Sequence, residues 1–204
     1  MVDVLVIILC YMIGSIPTAY IFARKLKGID IRQHGSGNVG STNAMRVLGK
    51  IPGIATLILD MFKGFIMVVL SRYYALNYIH GMDPYMFVAI CAFVTICGHN
   101  WPVYIKFKGG KGVATTCGVF FALTPVSALI TIIIWSITLF ISKYVSLSSL
   151  ISLGLLPVIM VFRGEPISYV ILSSLLFIMT AIRHRSNISR LFKGQENKAF
   201  SKKK

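Results

Sequence analysis

V-L-V-I-I-L-C-Y-M-I-G-S-I-P-T-A-Y-I-F-A, from Val4 to Ala23, is a run of twenty residues without a charge. A helix of this length rises about 30 Å, the thickness of the hydrocarbon core of a bilayer. Hydrophobic residues make up 56% of the 204-residue chain and charged residues only 13%. The sequence therefore predicts an integral membrane protein. Because the run contains Pro17 and no basic region precedes it, we interpret it as a retained span and not as a signal peptide.

Further apolar segments predict the number of helices. The longest, Gly112–Ser142, has 31 residues without charge and would be about 46 Å long as one helix, more than a bilayer requires. Pro125 offers a break that gives a short helix of about twelve residues and a full-length helix. With this break, we expect an all-α fold of seven transmembrane helices, the short one starting at the Gly109–Lys111 loop. The remaining apolar segments are Ile51–Ser71, Pro84–Gly98, Val145–Phe162 and Pro166–Ile182.

The distribution of Lys and Arg predicts the orientation, because these residues collect in cytoplasmic loops. Seven helices with the N-terminus outside place 18 of the 21 Lys and Arg residues on the cytoplasmic side. An unbroken Gly112–Ser142 helix would instead place the basic C-terminus outside. We therefore expect one polytopic domain over residues 1–204, with a cytoplasmic tail from about residue 183. Its final S-K-K-K is predicted to attract anionic lipid.

The first polar segment contains G-S-G-N-V-G, which fits the dinucleotide-binding pattern G-x-G-x-x-G at Gly35, Gly37 and Gly40. That pattern requires a preceding strand, whereas this segment follows a membrane span. The acidic residue expected about twenty positions later would be Asp60, which lies within the next apolar segment, three residues before Lys63. Asp60 and Lys63 would be neighbours on a helix, either as a structural ion pair or in contact with substrate.

The same segment is better interpreted as an anion-binding loop. Its glycines allow the backbone N–H groups to face a ligand, Ser36 and Thr42 add donors, and the Arg46 guanidinium suits a phosphate group. The alternative is a polar loop rich in turn-forming residues. The side-chain amide of Asn43 would add a further donor to the anion site.

The second polar segment, G-H-N-W-P-V-Y-I-K-F-K-G-G-K-G-V-A-T from Gly98 to Thr115, leads directly into the predicted short helix. An anion near Gly109 and Gly110 would meet free N–H groups, the positive end of the helix dipole and Lys111. The segment is not a Walker A loop, because the first glycine of that pattern is missing. Its other lysines are predicted to act as topology signals and as contacts for anionic lipid.

The third polar segment, I-R-H-R-S-N-I-S-R-L-F-K-G-Q-E, leaves the last predicted span at Ile182. If the helix continues into the interface, His184 and Asn187 share one face of it. The six acidic residues of the chain are scattered and the four cysteines lie in apolar runs. We therefore expect no metal site, no cofactor, no disulfide and no nucleic-acid partner.

These three segments, together with L-D-M-F-K-G in the second span, resemble the bacterial acyl-phosphate-dependent glycerol-3-phosphate acyltransferases, the PlsY family. The resemblance covers essentially the whole chain in family order and spacing. The one departure is Ser41, where alanine is common, and this change from one small residue to another leaves the motif intact. The resemblance implies a seven-span enzyme of the bacterial inner membrane that carries out the first step of phospholipid biosynthesis.

The reaction implied by the resemblance transfers a fatty acyl group from acyl phosphate to the 1-hydroxyl of glycerol 3-phosphate, giving lysophosphatidic acid and phosphate. Its partners would be these two substrates and the membrane lipids. The positions that match the family's catalytic and phosphate-binding residues are Ser36, Arg46, Lys111, His184 and Asn187. The substrate-binding loop positions that the resemblance implies are Gly37, Asn38, Gly40, Thr42, Asn43, Gly109 and Gly110. The alternatives are a transporter or channel for phosphorylated anions and a structural membrane protein with a lipid-binding basic face.

Overall fold

The structure is a computed structural model that describes residues 2–79 and 81–199, and the regular elements of these residues are all helical. The terminal S-K-K-K lies outside the described residues, and its role stays a prediction. The chain forms two compact units, the first ending at Leu123 and the second beginning at Thr124. The described α-helices are α1 (Val2–Gly14), α2 (Thr18–Lys27), α3 (Ser41–Leu48), α4 (Lys50–Tyr78), α5 (Pro84–Asn100), α6 (Val113–Leu123), α7 (Pro125–Ser142), α8 (Val145–Phe162), α9 (Ile167–Arg183) and α10 (Arg185–Phe192).

The helices confirm an all-α protein whose described residues include five segments long and apolar enough to cross a bilayer. These segments are α1 with α2, α4, α5 with the turn that follows it, α7 and α8. A sixth is formed if α9 and α10, bent by 63° at His184, count as one span. The predicted break at Pro125 is confirmed, because α6 ends at Leu123 and α7 begins at Pro125. Helix α6 has 11 residues and is about 16 Å long, shorter than the hydrocarbon core.

Helix α4 is central in the first unit and packs against α3, α5 and α6. Glycines allow the backbones of α4 and α6 to approach closely. A Cβ atom on Gly118 would overlap the Met61 backbone, and one on Gly64 would overlap the Thr115 carbonyl oxygen. Small residues serve this purpose in membrane helix pairs, where close van der Waals packing replaces the hydrophobic effect. The α4–α6 contact therefore fixes the start of α6 relative to α4.

A small apolar core lies beneath the polar loops of the first unit. It joins the end of α2, the first polar loop, α3 and the 3-10 turn Val103–Ile105 that follows α5. The polar loops are therefore supported by buried apolar side chains. The buried members of the core are Ala19, Ala23, Ile31, Val39, Ala44 and Ile105.

The second unit consists of sequential helix pairs, α7 against α8 and α8 against α9, with α10 packed on α8 and α9. Hydrogen bonds between side chains join different elements of this unit. Ser127 donates to Glu165 at 3.0 Å, and the Trp135 indole donates to Ser149 at 3.2 Å. Polar groups inside a membrane protein require such internal partners because lipid offers none.

Candidate active site

The side chain of Asn43 holds the first polar loop in shape. Its Oδ1 atom accepts from the Ser36 N–H at 2.8 Å. Its Nδ2 atom donates to the carbonyl oxygens of His34 and Asn38, both at 3.0 Å, and to that of Ile31 at 3.4 Å. Asn43 is 1% exposed. The sequence predicts its amide as a ligand donor, whereas the structure commits this amide to the backbone of the loop.

Ser36 and Gly37 lie in the loop that leads into α3. Gly37 has φ of +70°, a left-handed conformation that a side chain would strain, and its N–H donates to the His34 carbonyl at 3.1 Å. No side chain caps α3, and the first bond within this helix joins the Ala44 N–H to the Gly40 carbonyl at 3.0 Å. The N–H groups of residues 41–43 therefore have no acceptor within the helix, as an anion site at a helix N-terminus requires.

Arg46 lies in the second turn of α3 and is exposed, as is Ser36. Among the described ranges, 2–79 and 81–199, no carboxylate forms an ion pair with Arg46. Its guanidinium is therefore available to an anion at this end of the first unit. Asn38 and Thr42 are half-buried beside the loop.

The Gly109–Lys111 turn lies against the end of α5. The Gly110 N–H donates to the His99 carbonyl at 3.1 Å, and a Cβ atom on Gly110 would overlap His99 Nε2. Gly112 then adopts φ of +80° and α6 begins at Val113. Lys111 is half-buried at this junction. The structure thus places Lys111 next to the positive end of α6, as the sequence predicts.

Around the start of α6 lie buried polar atoms that have no hydrogen-bond partner among the described residues. They belong to the Asn100 amide and to the hydroxyls of Thr115 and Thr116. Asn100 is fully buried, and its Oδ1 atom is 3.0 Å from the position that a Gly112 Cβ would take. Sequence reasoning did not select these residues, because an Asn and two Thr near a membrane span carry no distinctive pattern.

Asp60 and Lys63 form the predicted ion pair, at 2.8 Å, with side chains 2% and 7% exposed. The Lys63 ammonium also donates to the Ile16 carbonyl at 2.9 Å, and Thr18 donates to Asp60 at 3.1 Å. Ile16 lies in the break between α1 and α2, where the carbonyl lacks a helical partner. The pair therefore fastens this break to α4. His99 Nδ1, which sequence reasoning missed, lies 3.7 Å from Asp60 Oδ1.

Arg32 connects the first polar loop to the second. Its guanidinium binds both carboxylate oxygens of Asp30 and donates to the Ile105 carbonyl at 3.0 Å. The hydrogen bonds from Arg32 lower the pKa of Asp30 to about 2. The first two predicted clusters are thus joined within one unit. The sequence did not indicate this connection, because an Arg two positions after an Asp in a loop is an ordinary pattern.

His184 and Asn187 belong to the second unit. The last span does not continue as one straight helix into the interface, because α9 ends at Arg183 and α10, which contains Asn187, leaves at 63°. His184 forms the corner, is 4% exposed, and its Nδ1 lies 2.9 Å from the Thr180 carbonyl. A carbonyl only accepts, so this bond places the proton on Nδ1 and leaves Nε2 as the basic nitrogen.

Glu196 holds Asn187 in place. Its Oε1 atom accepts from Asn187 at 2.6 Å and from Ser146 at 3.0 Å, and its Oε2 atom accepts from Arg190 at 2.8 Å. Burial raises the pKa of Glu196, but these hydrogen bonds outweigh burial and the pKa falls below its usual value of 4.5. The sequence suggested no role for Glu196, because its partners meet it only after the segment beyond α10 turns back.

Known proteins match this chain over nearly its whole length. The family model for glycerol-3-phosphate acyltransferase matches residues 4–194. The glycerol-3-phosphate acyltransferase of Halalkalibacterium halodurans is 43% identical over 203 residues, covering 98% of this chain and 96% of that protein. The corresponding protein of Endomicrobium trichonymphae is 42% identical and covers 100% of both chains. The chain belongs to the glycerol-3-phosphate acyltransferase family.

The fold of a solved structure supports the same family assignment. The crystal structure of PlsY, an integral membrane glycerol 3-phosphate acyltransferase, in its glycerol 3-phosphate form is 35% identical with a TM-score of 0.88. It covers 97% of this chain and 96% of that one. The lysophosphatidic acid form of PlsY has a TM-score of 0.86. The resemblance stated from the three motifs is confirmed, and the chain is an integral membrane acyltransferase.

Proposed function

We propose that this acyltransferase transfers a fatty acyl group from acyl phosphate to the 1-hydroxyl of glycerol 3-phosphate, forming 1-acylglycerol 3-phosphate and inorganic phosphate. One observation carries the proposal. Two glycine-containing loops, each ending at a helix N-terminus, are joined in one unit by the Arg32–Ile105 hydrogen bond. Each substrate carries a phosphate group, and each helix N-terminus favours an anion. The names of the relatives support glycerol 3-phosphate as the acceptor.

The charged side chains have separate roles in this proposal. Lys111 and Arg46 neutralise phosphate charge, while Ser36 and the N–H groups of the first loop bind the oxygens of acyl phosphate. Gly37, Gly40, Gly109 and Gly110 permit close approach of the backbone, with Asn38 and Thr42 beside it. Asn43 positions this loop through the four bonds described above.

His184 and Asn187 orient glycerol 3-phosphate in the proposed reaction. The 1-hydroxyl oxygen attacks the acyl carbonyl carbon, the carbon–oxygen bond to phosphate breaks, and phosphate departs. The hydroxyl proton passes to His184 Nε2 or to a substrate phosphate. Acyl phosphate is already activated, so that positioning alone supplies about 7–11 kcal/mol of the barrier. Donors aimed at the developing oxyanion lower it further.

The reaction is tested with purified protein in lipid bilayers, labelled glycerol 3-phosphate and three donors: acyl phosphate, acyl-CoA and free fatty acid. We expect labelled lysophosphatidic acid and phosphate in equal amounts with acyl phosphate only. Product from acyl-CoA at the same rate would overturn the proposed donor. Absence of product with every donor would overturn the proposed reaction.

The identity of the proton acceptor requires a second measurement, the pH dependence of kcat for the wild type and for His184→Ala. If His184 is the base, the variant loses the acidic limb of the profile along with activity. If a substrate phosphate is the base, kcat falls but the shape of the profile is retained.

We further propose seven spans, with α6 as the short one, in a single polytopic domain of the bacterial inner membrane. The N-terminus is outside and the site faces the cytoplasm. The 18 cations on one side support this orientation. The test uses single cysteines at Lys108 and Gly164 in a background without the four native cysteines. An impermeant maleimide applied to intact spheroplasts should label the cysteine at position 164 and spare that at position 108. The reverse pattern would contradict the orientation.

A further inference from the structure

The Gly109–Lys111 turn lies against His99, with the Pro102 ring beside Gly109. The Gly110 N–H donates to the His99 carbonyl at 3.1 Å, so that the turn is tied to the last turn of α5. A Cβ atom on Gly110 would overlap the Nε2 edge of the ring, and one on Gly109 would overlap the His99 carbonyl oxygen. The imidazole is 7% exposed. The position of the turn before Lys111 therefore depends on where this ring lies.

The opposite edge of the ring faces a buried carboxylate. His99 Nδ1 lies 3.7 Å from Asp60 Oδ1, and the same oxygen accepts from Thr18 at 3.1 Å and lies 2.8 Å from the Lys63 ammonium. Lys63 in turn donates to the Ile16 carbonyl at 2.9 Å. Asp60 is thus held from α2 and from within α4, and it presents a fixed negative charge to the ring. Such a carboxylate orients an imidazole and favours the proton on the facing nitrogen.

We propose that His99 is a positioning residue for the reaction, with Asp60 orienting its ring so that its Nε2 edge sets the path of the Gly109–Lys111 turn. The inference rests on the proposed function, because it assigns to His99 the placement of Lys111. His99 itself touches neither substrate. A misplacement of about 1 Å at a phosphate-binding group costs up to about 100-fold in rate. The Asp60–Lys63 pair therefore links the helix break at Ile16 to the placement of a catalytic lysine.

Substitution of His99 by Asn or by Gln tests the two edges of the ring separately. The Nδ2 atom of Asn takes nearly the position of a histidine Nδ1, so that His99→Asn keeps a donor towards Asp60 and removes the atoms that face Gly110. His99→Gln places its amide near the position of Nε2 and keeps that side filled. The two substitutions are similar in polarity and differ in which contact they retain.

The experiment measures kcat and KM for both substrates in wild type, Gly110→Ala, His99→Asn, and the two double variants that combine Gly110→Ala with His99→Asn or with His99→Gln. Gly110→Ala should lower kcat/KM by about 100-fold, since the new methyl group displaces the turn. His99→Asn in the same chain makes room for that methyl group and should recover about tenfold, whereas His99→Gln should recover nothing. Costs that simply multiply in the Gly110→Ala, His99→Asn double variant would overturn the proposal.

The matched control is Gly118→Ala, whose methyl group would overlap the Met61 backbone elsewhere in the first unit. His99→Asn should not rescue Gly118→Ala, and rescue of both would mean a general softening of the fold that contradicts the proposal. Each variant is compared at equal amounts of folded protein, judged by its thermal unfolding midpoint in detergent. An inactive wild type would overturn the proposed function, whereas an active wild type without selective rescue would overturn only the role of His99.

Discussion

Replacement of Asn43 by Asp tests whether the first loop is held by this one amide. The substitution is isosteric and retains an oxygen that accepts from the Ser36 N–H at 2.8 Å. It replaces the Nδ2 donor with a negatively charged oxygen that faces the carbonyls of His34 and Asn38, each 3.0 Å away. Two hydrogen bonds from the buried Asn43 amide are thereby converted into repulsive contacts.

The expected cost follows from these two bonds. Each lost bond removes about 1 kcal/mol, and the unsatisfied carbonyls together with the repulsion bring the total to about 2–4 kcal/mol. These bonds hold a loop that packs on the small apolar core, and their loss shifts the loop towards open conformations. A tenfold change corresponds to about 1.4 kcal/mol, so that kcat/KM should fall by about 30-fold to 700-fold.

The assay is formation of lysophosphatidic acid from acyl phosphate and glycerol 3-phosphate at saturating and limiting concentrations of each substrate. Asn77→Asp introduces the same charge at an exposed position of α4 and should retain full activity. The thermal unfolding midpoint of Asn43→Asp should change little, since the helices keep their contacts. A kcat/KM within about threefold of wild type would refute the reasoning.

Three further predictions concern packing and buried charge. Asp60→Asn leaves Lys63 charged and buried without its partner, which should cost about 3–5 kcal/mol of stability, and adding Lys63→Met should recover most of the lost unfolding midpoint. Gly118→Leu should prevent close approach of α4 and α6 and abolish accumulation of folded protein in the membrane, and a normal yield of folded protein would contradict this packing. The pKa of Glu196 is lowered in the folded state, so its stabilisation is complete above about pH 4.5 and lost as the pH falls below that value. Glu196→Gln should remove this part of the fall in the unfolding midpoint below about pH 4.5, and a variant that keeps the wild-type slope there would contradict the stabilising role of these hydrogen bonds.

The class of fold and the family could be predicted from the sequence because both depend on local patterns. The chargeless runs specify helices of bilayer length, and the Pro125 break follows from the geometry of proline. The three motifs place Ser36 and Lys111 in loops that precede helices, where the structure has them, and Arg46 follows within α3. The Asp60–Lys63 ion pair could also be predicted from the sequence, since residues three apart on a helix are neighbours.

The residues that hold the site were decided by the tertiary structure. Asn43 was predicted as a ligand donor, yet the number of its backbone partners became visible only when the loop closed around it. His99 meets Asp60 from another helix, and Glu196 meets Asn187 after the chain turns back.

Thus the sequence by itself determined a helical membrane protein with anion-binding loops, because apolar runs and glycine spacing act within one segment, and its three motifs carried the resemblance to the acyltransferase family. Which side chains support those loops depended on contacts between segments far apart in the chain. Small and amide residues such as Gly118 and Asn43 carry little local signal. Their roles arise from the backbone that other helices bring within reach.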